Sequence, residues 1–492
     1  MRSIRSKGDF LGRMKQSFMK SKAWIGLFLI VSLSCLQSMG RSEERPNIIF
    51  MLSDDQGWNG LSVPMHPNVA ESRGHWFHTP NLERLAARGM RFSQAYSPAP
   101  VCSPTRISLQ TGKSPAQLHW TKAAPAVEGM RLTEPRLIKN ISEDEVTIGE
   151  LLRAHGYTTA HFGKWHIGGG GPGRHGYDAH DGDTGNENAF KFEDPNPVDI
   201  FGMAQRAEQV MTQAKQSGKP FFIQLSWNAL HAYQNASKSS VEKYKRLMPD
   251  ADEKQMYTAA LTEDLDQGVG RVMDAVDRLG LAESTFIIYM SDNGSGGGKK
   301  GALRGGKGGV WEGGIRVPLI IQGPGVAANS WSAVPVVGYD FFATFCDWAG
   351  VPTTAIPANI EGGSIREVLI QNGEGTVKRR FPGLAFHFPH YQSEGPQSSL
   401  LVGSLKIVHT YEDDRWMLFD LSKDLSERQD LAGKMPRETQ QMRGQLEEYL
   451  TAVRAQLPTV NSNFDPNAKP SEDAGKGKRG GNKTGPPKGK GK

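Results

Sequence analysis

Short apolar runs alternate with longer helix-like segments over most of this chain. Residues 47–52, 221–225, 286–290 and 317–321 are almost continuously apolar, and 158–162 is a shorter run of the same kind. Such runs are expected of strands buried on both faces. Between them, residues 81–88, 147–155, 203–216 and about 254–279 read as helices. Strand, helix, strand in this rhythm predicts an α/β fold, a large, mainly parallel sheet sandwiched by helices.

The texture changes near Arg379. Short apolar segments at 400–402, 406–409 and 416–420 precede one helix-like stretch at 437–455. This predicts a smaller C-terminal subdomain with an antiparallel sheet over 376–458, after a main domain at 41–375. Beyond Pro458 the chain is rich in Gly, Lys, Pro and Asn, which predicts a disordered basic tail at 459–492.

Charge and termini refine this picture. Residues 1–23 carry seven basic side chains, and an apolar run from Trp24 to Leu33 and the small residues Ser38 and Gly40 follow. That order reads as a signal peptide over 1–40, and so as export to a periplasmic or extracellular space. The apolar run is short for a bilayer span, so no stable membrane insertion is expected after cleavage. The formal charge is +6, but the first forty residues contribute +6 and the last eighteen +7, which leaves −7 for 41–474. An acidic body argues against nucleic acid as a partner. Of three cysteines, Cys35 leaves with the signal; Cys346 lies in an apolar stretch and reads as a buried thiol.

The candidate chemistry falls at the C-terminal ends of the predicted strands, the edge where open α/β sheets place ligands. Ser53-Asp54-Asp55-Gln56-Gly57 follows the first strand, and Ser291-Asp292-Asn293-Gly294 follows the strand at 286–290. Adjacent carboxylates repel unless a cation holds them, and hard oxygen donors suit Ca²⁺ or Mg²⁺. Gly163-Lys164-Trp165-His166 follows the 158–162 strand; an extended backbone would point Lys164 and His166 the same way. Cys102-Ser103-Pro104-Thr105-Arg106 places a thiol just before a proline that favours a helix start, where free N–H groups attract anions, with Arg106 one turn on.

Cys102-x-Pro104-x-Arg106 with Thr111-Gly112 resembles the signature of the type I sulfatases. The Gly305 to Pro318 segment, with Lys307, Glu312 and Arg316, resembles that family's Gly-x-Lys…Glu-Gly-Gly-x-Arg-x-Pro stretch, and residues 418–432 resemble its C-terminal subdomain. Membership implies a sulfuric ester hydrolase. The resemblance further implies that Cys102 is converted to formylglycine by a formylglycine-generating enzyme and that its hydrate attacks sulfur. A Ca²⁺ ion, or Mg²⁺, would be held by Asp54, Asp55, Asp292, Asn293 and residue 102. Arg106, Lys164 and Lys307 would bind the sulfate, His166 would act as base on the formylglycine hydroxyl, and His231 would protonate the leaving alcohol. His231 lies in Ser226-Trp227-Asn228-Ala229-Leu230-His231, where the family usually has proline before the histidine. Glu312 and Arg316 read as a structural pair, and His161 as a packed strand residue.

The implied substrate is a sulfated small molecule or saccharide. A phosphonate monoester or phosphodiester hydrolase of the same superfamily is the alternative. His387 and His390, in an aromatic stretch that is either a sugar platform or a core strand, and His180 and Asp181, in a loop, are candidate substrate contacts. Two phosphate-loop lookalikes are discounted: at 301–307 Gly308 replaces the required Ser or Thr, and Gly168-x-Gly170-x-x-Gly173 continues into loop-forming residues.

Overall fold

The computed structural model of this protein describes residues 45–231, 235–295 and 302–466. The expected signal peptide and most of the basic tail lie outside the described residues. Among the described residues no helix is long and apolar enough to cross a membrane.

An eight-stranded sheet forms the centre. Its strands run in the spatial order Ser330–Ser332, Met90–Phe92, Leu319–Gln322, Thr285–Ser291, Asn47–Ser53, Phe221–Ser226, Thr158–Gly163, Ala179–His180. Every pairing is parallel except those of Leu319–Gln322, which is antiparallel to both neighbours. The mainly parallel sheet expected from the apolar runs is therefore present.

Period-two geometry explains why those runs carry no polar alternation. Ile49 and Met51 enter one core with Ile223, Leu225, Ile287 and Tyr289, under helices Pro80–Arg88, Ile200–Ser217 and Glu253–Arg278. Ile48, Phe50 and Leu52 enter the opposite core with Phe222, Ile288 and Met290, under Ile148–Ala154 and Asp340–Trp348. Two carboxylates of the long helix fix its neighbours. Asp266 accepts the Asn81 and Leu82 N–H groups at 3.1 and 2.8 Å, and Asp264 accepts Ser237 N–H at 2.7 Å. Both cap helix starts, whose first N–H groups have no partner within the helix.

The smaller sheet is antiparallel, in the order Leu384–Phe388, Gln397–Val402, Leu405–Thr410, Arg415–Asp420. One face, with Leu400, Ile407 and Leu418, packs on Met442, Leu446 and Leu450 of helix Pro436–Ala452. The other face, with Phe386, Val408 and Phe419, packs on Tyr96, Val101, Val310 and Trp311. Those four residues flank Cys102 and Lys307, so the subdomain supports two loops of the candidate site. The chain does not leave the fold at 458: Thr459 and Val460 pair antiparallel with Thr133 and Leu132. Backbone pairing, which composition does not reveal, holds the start of the expected tail.

Candidate active site

Strand register gathers the motifs. Ser53 lies opposite Ser291, Leu52 opposite Ser226, and Gly163 opposite Ser226. Asp54, Asp292, the 227–231 loop and Lys164 therefore leave the sheet side by side. Asp54 N–H donates to Ala229 C=O at 2.7 Å and Leu230 N–H to Asp54 C=O at 2.6 Å, which ties the loop carrying His231 to the acidic loop. Gly163 adopts φ +87°, and a Cβ there would lie 2.2 Å from Ser226 O, so only glycine lets the chain turn here toward Lys164. Likewise a Cβ on Gly294 would meet Gly313 O at 2.0 Å, and this close approach brings the Asp292 and Lys307 loops together.

Helix Cys102–Thr111 begins at Cys102 itself and is buried along its whole length. Pro104 thus sits third rather than first, still within the turn whose N–H groups have no helical acceptor. Cys102 and Cys346 are both free thiols. The Cys102 Sγ lies 3.4 Å from His166 Nδ1, and Ser103 Oγ lies 3.1 Å from the same nitrogen. Ser103 was not anticipated; it fills an unspecified position of the motif, and nothing in its spacing marks it. The backbone does not stay extended at 164–166. His166 has φ +60°, and its N–H donates to Thr184 C=O at 2.8 Å. Lys164 and His166 still share the site, but through a turn rather than through strand alternation.

The charges interlock. Lys164 Nζ donates to Asp54 Oδ2. Lys307 Nζ donates to both oxygens of Asp55, at 2.6 and 2.8 Å. Arg106 donates to Asp292 Oδ2 at 2.8 and 3.2 Å, to Lys164 C=O at 2.6 Å and to Asp54 Oδ2 at 3.4 Å. Its guanidinium is turned inward to the carboxylates, so in this structure it positions Asp54 and Asp292. Glu312 and Arg316 pair at 2.6 Å, and Lys406 joins Glu312 at 2.8 Å, as a structural role requires.

These environments shift protonation. Burial alone would raise Asp54, but Lys164, His231 and Arg106 hold its carboxyl well below the usual range. Burial and the Asp54 charge push Asp292 up to about 7 despite Arg106. Burial opposes protonation of Lys307, yet Asp55, Cys102 and Asp54 keep its ammonium well above the ordinary lysine value. Burial, then Lys164, lower both histidines: His166 to about 3 and His231 to about 4. Both imidazoles are therefore neutral near pH 7.

Two acceptors at the centre have no partner. Asp54 Oδ1 and Asn293 Oδ1 are buried and receive no hydrogen bond from the described residues. Asn293 Nδ2 donates to Asp55 Oδ1 at 2.7 Å, and Asp55 N–H to Asp292 Oδ1 at 3.1 Å, so the four expected ligand residues are contiguous. Ligand atoms of Asp54, Asp55 and His231 lie within 4.8 Å of one another. Buried oxygens left without donors, beside like-charged carboxylates, fit a hard divalent cation.

The remaining candidates separate. His387 is buried in strand Leu384–Phe388, with Nδ1 at 2.6 Å from Ser398 Oγ and Nε2 at 3.0 Å from Gln456 O. His390 is buried too, with Nε2 at 2.6 Å from Thr121 Oγ1 and Nδ1 at 2.9 Å from Glu134 Oε2. Both rings are fully engaged in the interior, which corrects their assignment as substrate contacts. His180 is exposed, and its Nδ1 accepts Gly182 N–H at 3.1 Å. Asp181 accepts Gly163 N–H at 2.7 Å and pairs with Arg206 at 2.9 Å, so it braces the strand end beside the site. His161 is buried in its strand against Trp165 and Tyr177.

Comparison with known proteins gives the family and the fold. The family described as Sulfatase matches residues 46–351, and N-sulphoglucosamine sulphohydrolase, C-terminal, matches 306–456. Arylsulfatase A of Bos taurus is 31% identical over 374 residues, covering 67% of this chain and 68% of that protein. N-acetylgalactosamine-6-sulfatase of Mus musculus is 32% identical over 366 residues, 66% of each. The crystal structure of Ps i-CgsB in complex with k-i-k-neocarrahexaose shares the fold, with a TM-score of 0.68 at 22% identity over 82% of this chain and 93% of that one.

Proposed function

From the fact that this chain belongs to the sulfatase family and is a sulfatase, we infer that it hydrolyses a sulfate ester on a carbohydrate through a formylglycine made from Cys102. One observation carries the reading. The Cys102 side chain at a helix start touches His166, and the unpartnered oxygens of Asp54 and Asn293 lie in the neighbouring carboxylate cluster. Asp54, Asp55, Asp292 and Asn293 would hold a Ca²⁺ or Mg²⁺ ion, which with the hydrated aldehyde of residue 102 supplies a hydroxyl acidic enough to act as nucleophile near neutral pH.

The chain's own groups do the rest. Lys164 and Lys307 offer two ammonium groups to sulfate oxygens, and Lys307, held protonated by Asp55, keeps its charge across the working pH range. His166, neutral and 3.4 Å from the side chain of residue 102, can accept a proton from a hydroxyl there. His231 must be protonated to serve the leaving oxygen as an acid. An anionic sulfate ester beside it favours that form, opposing the burial and the lysine charge that lower it. Arg106 holds Asp54 and Asp292 in place. In domain terms, residues 41–375 form the catalytic part and 376–458 the supporting subdomain. The signal segment implies an exported protein, matured by a formylglycine-generating enzyme.

The test pairs chemistry with modification. Protein made with a formylglycine-generating enzyme should show an aldehyde in the peptide spanning 102–106 and hydrolyse sulfated monosaccharides. Parallel assays with a phosphodiester and a phosphonate monoester should be far slower. Full-rate hydrolysis by protein whose Cys102 is an unmodified thiol would falsify the mechanism.

A further inference from the structure

Beside the catalytic edge lies a cavity of about 270 Å³ whose lining includes Gly163, Asp181, Phe192, Val198, Met203 and Asn228. It adjoins the centre through the backbone. Gly163 immediately precedes Lys164, and Asn228 lies three residues before His231. Thr184, also in its wall, accepts the His166 N–H through its carbonyl. Asn228 Nδ2 donates to Gly185 C=O at 3.2 Å, which closes the same wall. The cavity wall thus holds the backbone acceptors of both histidines, since Thr184 C=O accepts His166 N–H and Asn228 C=O accepts His231 N–H at 2.9 Å.

Its lining has two characters. Val198 and Met203, both buried, supply an apolar floor, while Phe192 keeps 37% of its surface exposed although it is a large aromatic. Asp181 and Asn228 supply polar edges. The lining charges balance only as a set: Asp181 and Asp199 share one cation, Arg206, at 2.9 and 2.5 Å, and Lys191, also in the wall, offsets the second carboxylate. An occupant that fits needs one apolar face, a hydroxyl-bearing edge and no charge. A pyranose ring has this character. The volume is just under the roughly 300 Å³ at which sites for drug-sized ligands begin, enough for one ring rather than a chain.

We propose that this cavity binds an uncharged pyranose unit adjoining the sulfated one, so that the enzyme prefers a sulfated oligosaccharide to a monosaccharide sulfate. The inference rests on the carbohydrate-sulfate reading above. Phe192 stacks on the apolar face of the ring, and Asp181 and Asn228 meet its hydroxyls. These are specificity contacts, away from the reacting atoms.

The experiment compares 4-nitrophenyl sulfate with a panel of O-sulfated monosaccharides and the matching disaccharide monosulfates. For the wild-type enzyme the disaccharides should show the lower KM. Phe192→Ala should raise the disaccharide KM about tenfold, the size expected for losing one aromatic ring face. Aryl sulfate turnover should stay within about twofold, since the small ester does not reach the cavity. Phe192→Tyr, which keeps the ring, should behave as wild type. Equal losses on both substrate classes, or no loss on either, would overturn the proposal. If wild-type protein hydrolyses no sulfate ester, the functional reading fails separately. The cavity is then judged by calorimetric binding of the same disaccharides to Cys102→Ala protein. Binding that Phe192→Ala removes supports it, and no binding refutes it.

Discussion

Two buried clusters in this molecule look alike in composition and differ in completeness. The strand-edge cluster combines Asp54, Asp55 and Asp292 with Lys164, Arg106, Lys307 and two histidines. The second joins Thr121, Lys122, Glu134 and His390, between the 121–134 segment and the end of strand Leu384–Phe388. In the second, Glu134 Oε1 accepts from Lys122, Val127 N–H and Tyr391 N–H, and Oε2 from Lys122 and His390. Both ring nitrogens of His390 are occupied. In the first, Asp54 Oδ1 and Asn293 Oδ1 have no donor among the described residues, and burial, then the Asp54 charge, push Asp292 up. Buried charge alone therefore does not mark a site. A saturated network is structural, whereas buried acceptors left open beside like charges suit a hard cation.

The largest expected effect separates the clusters by function. Cys102→Ala should lower turnover on the order of 10⁴-fold or more, because the nucleophile is gone, with little change in melting temperature. Chelation of divalent ions, or Asp54→Ala, should cost at least about 100-fold in activity. Calcium at about 100 times its Kd should stabilise wild-type protein by about 2.7 kcal/mol, read as a rise in melting temperature that Asp54→Ala abolishes. Glu134→Ala should do the reverse. It leaves Lys122 buried without its partner and should cost roughly 3–5 kcal/mol of stability in denaturant titration, while kcat per folded molecule stays near wild type. A calcium-dependent Glu134→Ala phenotype would break the comparison.

The smallest effect is a difference in pH sign. Burial opposes ionisation of Glu134, but hydrogen bonds from His390 and Lys122 lower it below the ordinary glutamate value of 4.5. Its contribution is present above that value and is lost as pH falls through its folded pKa. Asp292 has the opposite sign. Raised from 3.8 to about 7, it favours the fold fully below 3.8, and that stability is lost as pH rises through 7. Metal-free protein should therefore lose a few degrees of melting temperature between pH 5 and 8. Calcium, which would hold Asp292 ionised, should flatten the slope, whereas His390→Gln should steepen it, because burial lowers His390 below its ordinary 6.5 and its neutral form adds stability as pH rises.

The central strands were legible because an unbroken apolar run such as 47–52 has to be buried on both faces. Asp54, Asp292, Lys164 and Cys102 were legible because each sits next to such a run or in a short motif. Three local features were hidden. The left-handed turn at His166 and the pairing of Thr459–Val460 with Leu132–Thr133 depend on partners far away in sequence. The inward turn of Arg106 depends on Asp292, 186 residues away. The aromatic, His-rich stretch at 386–391 carried both a core and a surface reading, since local composition does not say which face its partners cover.

Sequence alone determined the sheet, the family resemblance and the residue types at the strand edge, since periodicity and short motifs are local properties. Only the tertiary structure decided which polar atoms find partners. Hydrogen-bond satisfaction is a property of neighbours brought together by folding, and it is what distinguishes the open acceptors of Asp54 and Asn293 from the filled ones of Glu134.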